Sequence, residues 1–500
     1  VASTPAPKGL AKVILTASTG TLIEWYDFYI FATLATILGA QFFPSTSANG
    51  LLAILGTFAT GMIVRPFGAV VFGRMGDMLG RKHTFLLTLL MMGFCSTAIG
   101  LLPAYKSIGV LAPVLLICLR IIQGLALGGE YGGAAIYLAE NAPADRRGFY
   151  TSFLQSTATV GLFFSLMLIL GLRHGLGESA FTSWGWRIPF LLSGILVVFS
   201  YFVRRTMVES PIFAELKAKG ATSKNPLLES FTNPENRRNV LLALFGLTAG
   251  QGVVWHTGHF YSLYFLQTTL NIRMPMANEI EAIALVLGAP FFIVFGSLSD
   301  RVGRKKLVMI GLALAVIGYL PLYSTMERFA TFDDANHGPL SISKTTTIDP
   351  ASRDAIVTRT ISSTDRAGIF QSATNRIDPK HPERTIGERG KFEIEVPPPT
   401  FWLLVAIVWY QVICATLVYG PMAAFLVEMF PVRIRYTSLS VPYHLGNGVF
   451  GGLVGLVSTW LVTQTHYAVA GVLYPTAIAL MSLIVGMLFV RETRGVAVEE

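Results

Sequence analysis

Charge is what this sequence has least of. Asp, Glu, Lys and Arg make up 13% of its 500 residues, while 52% are hydrophobic; soluble domains carry roughly 25% charge. With a mean hydropathy of +0.57, the chain has more apolar surface than one soluble core can hide, so part of it must face lipid. Cysteine is scarce as well. Cys95, Cys118 and Cys414 all fall inside apolar runs, which speaks against a disulfide framework and a metal site. Phosphate loops, nucleophile–base pairs and metal-ligand clusters are missing too, which argues against an enzyme and against any cofactor. The net charge of +9 is scattered through connections rather than gathered in one stripe, so no nucleic-acid partner is expected.

What the chain does have is long apolar runs. Windows of about 20 apolar residues, the length that crosses a bilayer, can be placed at 12–40, 51–73, 84–103, 110–138, 149–172, 187–204, 239–267, 278–298, 306–325, 400–426, 436–461 and 467–490. The first is too long and too acidic at its centre for a cleaved signal peptide. The expected fold is an all-α membrane protein of twelve helices in two six-helix, pseudo-symmetric bundles. The divisions are an N-terminal bundle at 1–204, a polar linker at 205–238 and a C-terminal bundle at 239–500. The connections on one side collect Lys8, Lys12, Arg74, Arg81, Lys82, Arg146, Arg147, the linker cations, Arg301, Arg304, Lys305, Lys306, Arg433, Arg435, Arg491 and Arg494. Those on the other side, outside the long segment at 326–399, hold only Lys106, Arg173, Arg187 and Arg273. The positive-inside rule then places both termini in the cytoplasm.

One short string occurs twice. Residues 73–82 read GRMGDMLGRK and residues 296–305 read GSLSDRVGRK, so Gly73, Asp77, Gly80, Arg81 and Lys82 have counterparts in Gly296, Asp300, Gly303, Arg304 and Lys305. That spacing is 223 residues (73 to 296). A second set of matches, Gln123/Gln411, Tyr131/Tyr419, Gly132/Gly420, Glu140/Glu428 and Pro143/Pro431, recurs at 288 (123 to 411). The difference of 65 is close to the length of the mixed-charge stretch 326–399, which is therefore an extracytoplasmic insertion between helices nine and ten. Its period-two pattern suits a small β-rich cap as well as a partly disordered loop. Membrane proteins built from two related halves usually move a solute between them.

Twelve spans with this repeated string resemble the major facilitator superfamily. The match narrows on E24-W-Y-D27-F-Y, R65-P-F-G, R120-I-I-Q-G followed by G-G-E130-Y-G-G, L-A-E140-N-A-P, G-W-R187-I-P-F, E209-S-P and E428-M-F-P-V-R. Together these resemble the metabolite:proton symporter family, over nearly the whole chain apart from 326–399. The resemblance implies import of a small organic acid such as α-ketoglutarate, citrate or shikimate with protons, in a bacterial inner membrane. A zwitterion such as proline or betaine is the alternative. A proton-antiporting exporter is less favoured, because 149–172 lacks the proline of exporter helices.

Ionisable groups at bilayer depth cost about 2.5–3.5 kcal/mol each and need a reason to be there. Glu24 and Asp27 are three apart on one helix face. Two carboxylates in a low-dielectric site are not both ionised cheaply, so Asp27, Glu24 and Glu130 are the expected proton carriers. Arg65 and Arg120 stay charged and are expected to hold a substrate carboxylate, with Arg65 pairing with Asp27 in the empty site. Tyr26, Tyr131, Gln251, His256, Tyr443 and Asn447 complete the expected binding site, since hydrogen-bonding groups facing lipid are costly. Trp255 and Trp409 suit an interfacial aromatic belt. The repeated strings read as conformational: Gly73, Gly80 and Gly303 for close approach and tight turns, Asp77 and Asp300 at neighbouring helix N-termini. Arg81 and Arg304 can pair with Glu140 and Glu428. The resemblance implies that such contacts latch the outward-open state. The expected partners are the solute, protons and the bilayer, with the chain acting as a monomer. Replacing Asp27 by Asn is expected to abolish proton-driven accumulation; full accumulation by that variant in a proteoliposome uptake assay would contradict this role.

Overall fold

The computed structural model describes residues 10–43, 56–58, 60–205, 210–348, 355–378, 381–385 and 392–496. Lys8, the start of the second span at 51–55, Glu209 and Asp354 lie outside the described residues. Twelve long helices dominate. Those of the first half are α1 (Leu10–Thr33), α2 (Gly56–Leu79), α3 (Arg81–Leu101), α4 (Leu111–Asn141), α5 (Ala144–Leu176) and α6 (Arg187–Arg204). Those of the second are α7 (Pro234–Thr269), α8 (Met274–Val302), α9 (Arg304–Ala330), α10 (Pro398–Met429), α11 (Arg435–Thr465) and α12 (Ala468–Phe489). All but α1 are apolar and long enough to cross a membrane by length and composition. Two short helices, Pro211–Ala218 and Pro226–Thr232, join the halves. Each starts with proline behind a capping side chain, Ser210 and Asn225, as helix N-termini prefer.

The repeated strings are almost wholly helical, not loops. α2 runs through Gly73 to Leu79 and α3 starts at Arg81, so the only break is Gly80 at φ +123°. The second copy breaks at Gly303, φ +108°. Both values lie where L side chains are strained, and glycine alone takes them cheaply. These two hinges lie on the same face of the molecule, here termed the loop face.

On that face the two bundles are joined twice, in pseudo-symmetric fashion. Asp77 accepts hydrogen bonds from the backbone N–H of Tyr436 (3.1 Å) and Thr437 (2.9 Å) and from the Thr437 hydroxyl (2.8 Å). It thereby caps α11 of the opposite half. Asp300 accepts from Gly148 N–H and Phe149 N–H, both at 2.8 Å, in the first turns of α5. Gly73 and Gly296 let the crossing backbones meet: a Cβ on Gly73 would lie 3.0 Å from the Thr437 Cα, and one on Gly296 would enter Ser152 and the Gly148 carbonyl. Around these caps, Arg81 (2.7 Å) and Arg435 (2.9 Å) share the two oxygens of Glu140. Arg304 pairs with Glu428 (3.2 Å) and Asp300 (2.7 Å). Arg435 and Arg147 are the cross-bundle members, the latter 3.9 Å from Glu428.

The insertion is a folded β cap. β1 (Ser341–Ile348), β2 (Ala355–Thr364), β3 (Phe370–Asp378) and β4 (His381–Thr385) form an antiparallel meander, and β5 (Glu393–Glu395) pairs with β3. The cap is fastened to the α7–α8 turn, at the end of α7 opposite the loop face. Ile394 N–H donates to the Asn271 carbonyl (2.8 Å), Arg273 N–H donates to the Ile394 carbonyl (2.9 Å), and Arg273 pairs with Glu395 (2.7 Å). Ile369, Ile394 and Val396 are buried beneath it. Of the two structures that the period-two pattern allowed, this is the sheet.

Replacing Asp77 by Ala removes three hydrogen bonds across the bundle interface, each worth about 0.5–1.5 kcal/mol net. The variant is expected to open the loop face, read as faster thiol labelling of a cysteine introduced at Ser440. Unchanged labelling would show that the caps do not hold the interface shut.

Candidate functional site

Between the loop face and the β cap, the centre of the molecule is an aromatic layer that crosses the bundle interface. Tyr131 of α4 stacks on Tyr443 of α11 with ring centroids 3.5 Å apart and planes within 4°. The Tyr419 and Tyr443 hydroxyls are 2.5 Å apart, and Gln155 donates to the Tyr131 hydroxyl at 2.8 Å. Trp25 of α1 faces Trp255 of α7 at 5.4 Å, and Tyr29 faces Phe260 at 5.8 Å. Trp255 is 2% exposed, so it belongs to this central layer and not to an interfacial belt. Trp409 sits half-buried against Phe291. The alternation that brings these rings together is helical: Trp25, Phe28 and Tyr29 share one face of α1.

Arg65 lies inside this layer. Its guanidinium stands 4.8 Å from the Phe28 ring and 6.0 Å from Trp25, and its charge interacts with the phenols of Tyr443, Tyr29 and Tyr419 and with Glu24. Its Nε and Nη2 atoms are buried and have no hydrogen-bond partner. Those two atoms form one edge of the guanidinium fork, the edge that matches the two oxygens of a carboxylate. His256 and His444 lie close enough to feel its charge. His256 engages the Gly252 carbonyl through Nδ1 at 2.8 Å, whereas both ring nitrogens of His444 are buried without a partner. Arg120 is held further into the first bundle. It donates to Gln123 (3.0 Å), which donates in turn to Ser96 (2.8 Å), and it stacks on Phe31 at 4.0 Å. Phe28 separates the two guanidinium groups, being 5.7 Å from Arg120.

The acids divide differently from the sequence expectation. Asp27 and Arg65 do not meet. Asp27 turns into the first bundle beside Ser96 and Ser193, with both carboxylate oxygens lacking a partner by hydrogen-bond geometry. The acid whose charge acts on Arg65 is Glu24, although the two form no ion pair. Three residues on a helix span 300°, which leaves the two side chains about 60° apart, enough to point them at different neighbours. Glu24 meets Glu130 carboxyl to carboxyl, with Arg204 beside them. Glu130 holds Arg204 at 2.5 Å and accepts from Thr88 at 3.1 Å. Arg204 stacks over Phe85 at 3.6 Å and lies against Gly20, where any Cβ would collide with the guanidinium. Two carboxyl groups and one guanidinium thus share a buried site with room for a proton between the acids.

Of the expected binding residues, Tyr131, His256 and Tyr443 fall in the central layer. Tyr26 does not: its hydroxyl donates to the Pro189 carbonyl at 2.9 Å, which fixes α1 to α6. Gln251 and Asn447 bond each other reciprocally, at 3.2 and 2.7 Å, so their amides join α7 to α11. Sequence reasoning missed Arg204, which sits at the end of a span and reads as a topology-setting cation. It also left out Tyr29, Thr88 and Tyr419 as site residues. The repeat held one signal, since Tyr419 is the partner of Tyr131. No cluster able to hold a metal ion occurs among the described residues.

Comparison with known proteins bears on this arrangement. The family model described as "Sugar (and other) transporter" matches residues 13–241. The chain is 33% identical to the inner membrane metabolite transport protein YhjE of Escherichia coli (strain K12), over 97% of this chain and 94% of that protein. It is 36% identical to the alpha-ketoglutarate permease of the same organism, over 64% of this chain and 72% of the permease. Among solved structures it superposes on the proton:xylose symporter XylE of E. coli, with a TM-score of 0.68, 17% identity and 98% of each chain covered.

Replacing Arg204 by Ala leaves Glu130 buried without its cation, and breaking such a pair costs about 3–5 kcal/mol. The variant is expected to melt well below the wild type in detergent, and adding Glu130→Gln should recover most of the loss. A single variant that melts with the wild type would show that the pair carries no stabilising role.

Proposed function

The chain belongs to the major facilitator superfamily, as a multi-pass metabolite transporter related to bacterial inner-membrane proteins, and from that premise we propose that it imports a small organic acid together with protons. The observation that carries this reading is the unpartnered Nε–Nη2 edge of Arg65, buried between the bundles. A carboxylate laid on that edge would make two parallel charge-assisted hydrogen bonds. The surrounding rings exclude water and strengthen them. The acid binds where both bundles contribute side chains, so rocking one bundle against the other moves the site from one side of the membrane to the other.

Coupling is assigned to Glu24, which meets Glu130 and whose charge acts on Arg65 from beyond ion-pair distance. Ionised, it answers the charge of Arg65 and competes with the substrate. Protonated, through the contact with Glu130, it leaves Arg65 for the incoming carboxylate. Because both charges are buried, neutralising Glu24 changes the field at Arg65 and with it the affinity for an anion. Asp27 is a further acid of the first bundle whose oxygens await a proton or a donor. The loop face, with its excess of Lys and Arg, is the cytoplasmic face by the positive-inside rule, which puts both termini inside and the β cap outside. The caps of Asp77 and Asp300 close the cytoplasmic side and must break for release. A monomer contains every group invoked here.

Uptake into proteoliposomes under an inward proton gradient tests the reading, with α-ketoglutarate, citrate, shikimate, proline and betaine as the panel. Ionophore-sensitive accumulation of an acid is the expected result, lost in Glu24→Gln and reduced at least about 10-fold in Arg65→Lys, which keeps the charge but not the fork. Accumulation of proline or betaine would move the substrate class to zwitterions. Ionophore-insensitive uptake would remove the proton from the mechanism.

A further inference from the structure

The second bundle holds an acid that the mechanism above does not use. Glu281 is on α8, seven residues from its start at Met274, which is about 10 Å along the helix from the end beside the cap. It is 1% exposed. Its Oε2 accepts a hydrogen bond from the Ser262 hydroxyl of α7 at 3.0 Å, and its Oε1 has no partner. Tyr323 of α9 lies near enough to interact with its charge and is joined in turn to Gln411 of α10. The Tyr323 hydroxyl donates to Gln411 Oε1 at 3.1 Å, and the Gln411 Nε2 is itself buried without an acceptor. Tyr261 stacks on Tyr323 behind them. No Lys, Arg or His pairs with Glu281 among the described residues.

An ionised carboxylate in such a site lacks the cation that three other buried Glu of the spans possess: Glu130 has Arg204, Glu140 has Arg81 and Arg435, and Glu428 has Arg304. Only Glu24, which leans on Glu130, compares with it. A group left this way must carry a proton whenever the site is closed. The helix that supplies its one donor is also irregular. Ser262 lies on a single α-helical turn, Ser262–Tyr264, between the π-helical segments Thr257–Tyr261 and Phe265–Thr269, and π-bulges concentrate where helices must adjust. A shift of α7 would draw Ser262 off Oε2 and change the surroundings of the carboxyl group.

We propose that Glu281 is a second proton-carrying site, in the C-terminal bundle, loaded from the cap side and emptied as α7 moves during the transport cycle. The inference rests on the proton-symport reading and adds to it a proton that does not pass through Glu24, Glu130 or Asp27.

The test is the number of protons moved per substrate in proteoliposomes, obtained from the reversal potential at set pH and substrate gradients. The E281Q variant is expected to move one proton fewer per substrate than the wild type. An unchanged ratio in E281Q overturns the inference and leaves Glu281 as a permanently neutral hydrogen-bonding residue. A wild type that moves no proton with its substrate overturns the symport reading itself, which is a different outcome. If E281Q does not fold, the wild type is treated with a hydrophobic carbodiimide, which reacts with protonated carboxyl groups, and the adducts are mapped by peptide mass spectrometry. Labelling of Glu281 that fades as the buffer is made alkaline supports exchange of its proton, and labelling independent of pH overturns it.

Discussion

A charge removed from water must be answered inside the protein, and in a bilayer no solvent relieves a mismatch. That constraint organises this molecule. On the loop face each buried charge has its counter-charge or a set of backbone donors: Asp77 and Asp300 on helix N-termini, Glu140 between Arg81 and Arg435, Glu428 against Arg304. At the centre the pairing is incomplete. Arg65 presents an unanswered edge, Asp27 two unanswered oxygens, and Glu24 leans on another acid. Complete pairing gives a defined closed state, while the incompletely paired centre is where the proposed cycle places its proton and its carboxylate.

The two regions are mechanically connected through α11 and α4. α11 begins at the Asp77 cap and carries Tyr443 and His444 two turns later, while α4 carries Tyr131 and Glu130 above Glu140. Opening the loop face therefore tilts the helices that hold one side of the aromatic layer. The Tyr131–Tyr443 stack, at 3.5 Å, cannot survive such a tilt without separating, because close stacking tolerates little lateral play. In the proposed cycle, substrate release and opening of the loop face are then one motion.

The β cap is fastened to the turn between α7 and α8, the helix that lines the site with π-helical segments and the helix that bears Glu281. Backbone hydrogen bonds from Ile394 on both sides of Ile272 make the cap an extension of that turn. It thus adds order to the end of α7 where the helical ladder is least regular.

Much of this was legible in the sequence. Apolar run length determined the twelve helices, the repeated strings determined the two halves, and the difference between two repeat spacings isolated the insertion. The aspartates, glycines and arginines of the strings stood out because each has a partner at a fixed spacing. The site was only partly legible. Helical periodicity states which residues share a face but not what that face meets, so Glu24 and Asp27 looked equivalent although one meets Glu130 and the other turns to Ser96 and Ser193. Arg204 and Glu281 carry no spacing signal, since their partners are 74 and 19 residues away on other helices. Composition and periodicity are properties of one helix, and they fixed the class of protein. The pairing of buried charges is a property of several helices at once, and only packing the bundles together decided it.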